Sequence, residues 1–319
     1  MATPVNNYNA PAVHGNSRLA VFIDRTIQNP RWMLMESISR FGLVRSVVRR
    51  SSRRPSLQEF RLEDSKFTGV DPDAFVDTLL RDGFCTGLRL PEAATQRIVE
   101  FAENAYCYGD AKPAYGFRYR DKLLAQEKSG KVFSQGTYLF PDEIKPTLNA
   151  VAHDPLLMLI AAKYLNAKPV MTGTRVWWTF AAGEANYNPS VTTSFFHYDK
   201  DDYAAVRLFF YLTPVDDKHG PHVVVRGSHM NKQLSQLISL GERTDEEIVS
   251  RYGQDKLVMI YGKPGEGFAE DPFCFHKATR PVAGDRLMLE IKYATYNYNI
   301  FSSPNKESSK LIMQTAAGQ

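Results

Sequence analysis

Long apolar runs are missing from this 319-residue chain: no 18 consecutive apolar residues occur, so a membrane-spanning helix is not expected. Cysteine is scarce. Cys85, Cys107 and Cys274 are odd in number and far apart, a poor disulfide framework that fits a reducing cytoplasm better than an oxidising compartment. The first 20 residues lack the positive start and apolar core of a signal peptide. No internal repeat appears. Charge of one sign is not in great excess either: the formal net charge is only +4, and nothing in the chain as a whole demands nucleic acid.

What is present is enough apolar material for a substantial core, 43% of 319 residues, in one domain with additions. The expected division is an arm over 1–66, a main domain over 67–300 and a polar tail over 301–319. Residues 1–18 are polar and Asn-rich, the composition of a disordered segment. From Arg31 to Arg50 the residues Leu34, Ile38, Phe41, Val44 and Val48 recur at helical spacing, which predicts an amphipathic helix with arginines outside the stripe. Six arginines and no acid lie between Arg40 and Arg54. Such a patch suits phosphate or an anionic surface, but charge runs are more often solvated helix faces.

Further on, Asp71-Pro72-Asp73 and Pro91-Glu92 predict helices over 72–81 and 91–107, with proline near the first position and acids at the positive end of the dipole. Residues 141–166 predict two helical segments broken near His153-Asp154-Pro155. From Arg175 onward, short apolar runs bounded by Gly, Pro, Asn and Asp predict strands. A helical excursion over 231–255, with a capping-box-like start at Thr244, interrupts them.

The chemistry concentrates at His197-Tyr198-Asp199 and at His276, 77 positions after Asp199. Two imidazoles and one carboxylate form the face that holds iron(II) while leaving positions open for a co-substrate and dioxygen. On a strand, His197 and Asp199 project to one side, and His276 can arrive from another strand of the same barrel. The stretch from Arg286 to Tyr293 alternates like a half-buried strand. Its first residue, Arg286, carries a planar guanidinium suited to a carboxylate. If 2-oxoglutarate is the co-substrate, Arg286 would hold its distal carboxylate, with Arg280 the alternative anchor.

Four segments carry a resemblance to the phytanoyl-CoA dioxygenase-like family of iron(II)/2-oxoglutarate oxygenases. They are DAFVDTLLRDGFCTGLRLPEAATQRIVEFAENA, VAHDPLLMLIAAKYLN, LFFYLTPVDDKHGPHVVVRGSHM and FHKATRPVAGDRLMLEIKYA, in the family's order across roughly residues 70–300. Arg226 departs from the proline the family often has before Gly-Ser-His. The resemblance implies iron(II) on His197, Asp199 and His276, 2-oxoglutarate on Arg286, and dioxygen as the oxidant. Asp199 is intact, which argues for hydroxylation or another oxidative outcome over halogenation. Joined to the strand pattern, it implies a mainly β fold with flanking helices: a double-stranded β-helix, or cupin-like jelly-roll barrel, wrapped by N-terminal helices.

His219, His222 and His229 straddle turns, and a second metal site there is the lesser reading; His222 is a candidate pocket wall, and His14 and His153 are surface or cap residues. Cys274 lies two residues before His276 and is a candidate neighbour of that ligand. Alternation places Arg207, Phe209 and Tyr211 on one face, with the phase open; facing inward, Tyr211 would donate to 2-oxoglutarate. Trp177, Trp178, Phe195, Phe196 and Tyr198 form a dense aromatic set, of which half should be core and the rest favour a bulky or apolar small-molecule substrate. Two other classes stay open: a non-catalytic barrel or metal-binding module, and an oxygenase acting on a macromolecule through the arginine-rich arm.

Overall fold

The structure is a computed structural model that describes residues 18–52, 55–183, 188–238, 242–299 and 309–312. The expectations for residues 1–17, His14 included, and for most of the tail fall outside them. Eleven α-helices and eleven strands follow in chain order among the described residues. They are α1 (Arg18–Gln28), α2 (Pro30–Ile38), α3 (Gly42–Ser51), α4 (Pro72–Asp82), β1 (Phe84–Arg89), α5 (Glu92–Asn104), β2 (Tyr106–Gly109) and β3 (Gly116–Arg118). Then come α6 (Lys122–Ser129), β4 (Gln135–Thr137), α7 (Lys145–Ala152), α8 (Pro155–Leu165), β5 (Val170–Thr179), α9 (Pro189–Thr192), β6 (Ala205–Tyr211) and β7 (His222–Val225). The last are α10 (Leu234–Ile238), α11 (Asp245–Tyr252), β8 (Leu257–Ile260), β9 (Glu266–Glu270), β10 (His276–Ala278) and β11 (Arg286–Ala294).

Strands pair antiparallel in two sheets. The larger runs β1-β9-β6-β11-β5-β4-β2-β3 and the smaller β10-β7-β8. His197, between β5 and β6, pairs with His276 at the free edge of β10 and so supplies a fourth, one-residue member to the small sheet. After β5 the chain crosses to His197, back to β6, over to β7 and β8, back to β9, over to β10 and home to β11. That alternation between facing sheets is the jelly-roll winding.

Local chemistry explains the supports. Asp71 accepts from the backbone of Asp73 and Ala74, Pro72 opens α4, and Gly83 at φ 82° stops it. A Cβ on Gly83 would lie 2.2 Å from Cys274 Sγ, so only glycine lets the end of α4 approach the turn leading to His276. Asp154 caps α8 and also accepts from Ser65 and Lys66, tying the preceding segment down. Thr244 and Glu247 complete the capping box of α11.

The helix-facing side of the large sheet packs Val176, Trp178, Leu208, Phe210, Leu289 and Ile291 against Leu79, Ile98, Leu157 and Ile160 of α4, α5 and α8. Leu79, Ile98, Leu157 and Ile160 are all fully enclosed, each stabilising the fold by about 1.5–3 kcal/mol on area grounds. The opposite face sets Phe209, Tyr211, Phe268 and Met288 against Val224 and Ile260 of the small sheet. Tyr211 therefore points inward. The half-buried reading of Arg286–Tyr293 is corrected: β11 lies between β5 and β6, and seven of its first eight residues are buried, its polar members included. No helix among the described residues is long and apolar enough to cross a membrane.

The arm also departs from the periodicity. Two helices, α2 and α3, replace one, and Leu34 and Phe41 of the expected apolar stripe are exposed while Trp32, Met35 and Arg45 are buried. Arg45 outweighs the stripe because the barrel offers it a charged partner. Its Nη2 donates to Asp271 at 3.0 Å, its Nε to the Tyr203 carbonyl at 3.1 Å, and its guanidinium stacks 4.1 Å over Phe273.

Candidate metal centre

His197 and Asp199 do not lie on a regular strand. Backbone pairing places them instead: His197 N–H donates to the His276 carbonyl at 3.0 Å, the return bond is 2.9 Å, and Asp199 N–H donates to the Pro272 carbonyl at 2.8 Å. Directly opposed residues of an antiparallel pair share a face, so the two imidazoles meet with centroids 4.3 Å apart. One ligand atom from each of His197, Asp199 and His276 lies within 4.8 Å of the other two; among the described residues this is the one such cluster of three metal-binding side chains. Asp199 Oδ2 is 3.6 Å from His276 Nε2 and 4.0 Å from His197 Nε2. Adjacent donors about 2.1 Å from a shared ion are ~3 Å apart, so a small closure would complete the face.

Hydrogen bonds fix which nitrogen each histidine presents. His197 Nδ1 lies 2.9 Å from the Phe195 carbonyl, and His276 Nδ1 lies 3.0 Å from the Cys274 carbonyl and 2.9 Å from Glu270 Oε1. Because those partners only accept, Nδ1 carries a proton in both rings; Nε2 of His197 is left with the lone pair, and Nε2 of His276 faces Asp199 and would give up its proton to a metal. Burial, reinforced by His276, lowers the His197 imidazole to about 4, so it is neutral at ordinary pH. Burial opposes charge on His276 too, but Glu270 and Asp199 outweigh it and push this imidazole up to about 10. The excess of carboxylate around His276 is a field that a cation would neutralise. The donor set, two nitrogens and one oxygen, therefore fits iron(II).

Three surrounding residues escaped the sequence reading. Glu270, at the end of β9, lies between His276 and His222, whose Nε2 is 2.5 Å away; burial works against its charge, yet the two histidines hold its carboxyl down at about 2. Arg207 Nη1 sits 2.7 Å from Asp199 Oδ2, and its Nε and Nη2 grip both oxygens of Asp201 at 2.7 Å. Although burial resists ionisation, Arg207 keeps Asp199 charged far below the usual carboxylate range. Glu290 Oε1 follows at 3.4 Å from Arg207 and 3.6 Å from Lys292 Nζ. Arg207 and the two imidazoles converge on the same oxygen, Asp199 Oδ2, and a carboxylate has lone pairs enough for both a guanidinium N–H and a metal. The alternation of β6 was the available signal for Arg207; for Glu270 there was none, since its partners come from two other strands.

Arg286 is buried at the start of β11, facing the interior, and its Nη2 donates to Thr179 Oγ1 at 3.2 Å. Burial pushes the Tyr211 hydroxyl up to about 12 and the His222 imidazole down, and the Arg286 guanidinium is close enough to oppose the first shift and add to the second. The Tyr211 hydroxyl donates to the Ile260 carbonyl at 2.7 Å and accepts from His222 N–H at 3.1 Å, so its proton is already engaged. Arg280 points elsewhere, donating to the Ala182 carbonyl at 2.8 Å. His219 pairs with Asp216, and His229 lies 3.1 Å from the Leu80 carbonyl and 3.5 Å from Cys274 Sγ; neither joins the cluster.

No known protein family and no curated protein matches the sequence. Solved structures align with the chain at low identity. The epimerase SnoN, in complex with Fe3+, alpha ketoglutarate and nogalamycin RO, aligns at 14% identity over 78% of this chain and 91% of its own, with a TM-score of 0.48. HygX from Streptomyces hygroscopicus, with nickel and 2-oxoglutarate bound, gives 14% identity, 74% and 91% coverage and 0.48. EctD from S. alaskensis gives 17%, 76% and 88%, and 0.45. At such identities no residue role is carried across, and the chemistry assigned to this chain rests on its own side chains.

Proposed function

We propose that this protein is an iron(II)- and 2-oxoglutarate-dependent oxygenase of the phytanoyl-CoA dioxygenase-like kind, acting on a small molecule. One observation carries the reading: His197, Asp199 and His276 converge, with both histidines held through Nδ1 so that Nε2 faces their common centre. Iron(II) held there would supply dioxygen activation coupled to oxidative decarboxylation of 2-oxoglutarate, with hydroxylation of the substrate as the expected outcome.

The protein's own contribution is positional and electrostatic. Glu270 orients His276, Arg207 fixes the Asp199 carboxylate, and buried Arg286 provides the bidentate anchor for the distal carboxylate of 2-oxoglutarate. Tyr211 contributes by bracing His222 and Ile260 across the barrel, in place of direct donation to the co-substrate. The arginine-rich arm supports a small-molecule over a macromolecular substrate, since Arg40, Arg45 and Arg49 all bond within the chain. Three free thiols suit a reducing, cytoplasmic setting. The test is succinate formation: protein reconstituted with iron(II) should turn 2-oxoglutarate into succinate slowly in air even without its substrate. Bound 2-oxoglutarate that yields no succinate would favour the non-catalytic barrel instead.

A further inference from the structure

The inner wall of the large sheet beside Asp199 is polar, and one of its cations lacks a charge partner. Arg175 on β5 is partly exposed and stacks 4.7 Å from the Trp177 ring. Both of its hydrogen bonds leave from Nη2, to Gln135 Oε1 at 3.0 Å and to Thr137 Oγ1 at 3.5 Å, neutral acceptors on β4. Its Nε is enclosed without a hydrogen-bond partner. The carboxylate opposite it in register, Glu290, is turned to Arg207 and Lys292 instead. A guanidinium held in place by an indole, an amide and a hydroxyl, and unneutralised among the described residues, is built to meet an anion.

Where that anion would sit follows from the sheet. β5 and β6 flank β11, and the Glu290 position lies opposite Arg175 on one side and Phe209 on the other, with Arg207 two residues from Phe209. Strands two apart are separated by about 10 Å and two residues along a strand add ~7 Å, so the Arg175 backbone lies about 12 Å across the wall from that of the arginine that touches Asp199. The aromatic residues expected to shape an apolar pocket are mostly elsewhere. Trp178 stacks on Tyr119 in the helix-facing core, Phe196 is enclosed with Val223 and Ile248, and Tyr198 packs on Phe273 and Phe275. Of Trp177, Trp178, Phe196 and Tyr198, Trp177 is the one on the same wall as Arg175.

We propose that Arg175, positioned by Trp177 and Gln135, binds a carboxylate of the substrate, so that the enzyme acts on a carboxylate-bearing molecule and not on a wholly apolar one. The inference rests on the oxygenase reading for the word substrate, but its test does not require turnover. Binding of 3-phenylpropionate and of its amide, 3-phenylpropanamide, is measured calorimetrically on the metal-free protein and again on protein loaded with Mn(II) and saturating 2-oxoglutarate. Wild type should prefer the carboxylate at least tenfold in both forms. Arg175→Gln should erase the preference while leaving 2-oxoglutarate affinity within twofold, and Gln135→Leu, which only frees the guanidinium, should weaken carboxylate binding threefold or more. Arg286→Gln should do the reverse, losing 2-oxoglutarate but keeping the preference. The proposal is overturned if wild type shows no preference, if Arg175→Gln or Gln135→Leu retains it in full, or if Arg286→Gln abolishes it. A tenfold loss of 2-oxoglutarate affinity in Arg175→Gln would also overturn it, by making Arg175 the co-substrate's anchor. Failure of Mn(II) to bind would count against the metal centre alone, because the metal-free comparison stands by itself.

Discussion

Glu270→Gln is the substitution that separates a metal-binding histidine pair from two merely buried histidines. Glu270 is enclosed at 1% exposure and contacts His276 Nδ1 at 2.9 Å and His222 Nε2 at 2.5 Å. Glutamine keeps the volume and an acceptor for His276, so the ring stays oriented; what is lost is the negative charge that raises the basicity of Nε2. Carboxylates in this position behind a metal-bound histidine are worth about 10–100-fold in metal affinity, or ~1.4–2.7 kcal/mol. Glu270→Ala should do more, since it leaves two enclosed imidazoles without their common partner, and removing one member of a buried pair costs about 3–5 kcal/mol of stability. Chelator competition on the purified variants gives the affinity, and denaturant unfolding of metal-free protein gives the stability. The reasoning fails if Glu270→Gln binds iron(II) as tightly as wild type, because Glu270 would then be bracing the fold without acting on His276.

Two further outcomes follow from buried charges. Arg286→Ala should weaken 2-oxoglutarate binding by about 1.5–3 kcal/mol with metal still bound, whereas Arg280→Ala should change it little; calorimetric titration showing the reverse would move the co-substrate to Arg280. Asp271→Asn should lower stability by about 3–5 kcal/mol at neutral pH by stranding Arg45 beside Tyr164. Burial resists the charge on Asp271, but Arg45 holds its carboxyl well below the ordinary range, so its stabilisation is present above about pH 4 and lost as pH falls toward the folded value. The gap between wild type and Asp271→Asn in unfolding free energy should therefore narrow on acidification; a constant gap would mean that the charge plays no part.

The winding of the barrel and the three metal-binding candidates were legible because they depend on local signals: capped helices at Asp71 and Thr244, short strands between turn residues, and a His-x-Asp pair with a distal histidine. What the sequence concealed depends on encounters between distant segments. Leu34 and Phe41 repeat at helical spacing, yet Arg45 faces inward because Asp271, 226 residues away, is there to receive it. Glu270 has no sequence signature, since it matters only through His222 and His276 on two other strands. Alternation correctly grouped Arg207 with Phe209 and Tyr211, but could not choose the face until the apolar side of the large sheet had met the helices. The expected strand at His197 and Asp199 is a single bridged residue followed by irregular chain, and their convergence is the work of the bonds to His276 and Pro272.

The central claim is tested most directly by anaerobic titration of the purified protein with iron(II) in the presence of 2-oxoglutarate, followed by metal analysis and by the visible charge-transfer absorption of a bound keto acid. Wild type should take up one iron per chain and develop the band, and His276→Ala should do neither while keeping its circular dichroism spectrum. Full iron occupancy and an undiminished band in His276→Ala would contradict the assignment of His197, Asp199 and His276 as the metal centre.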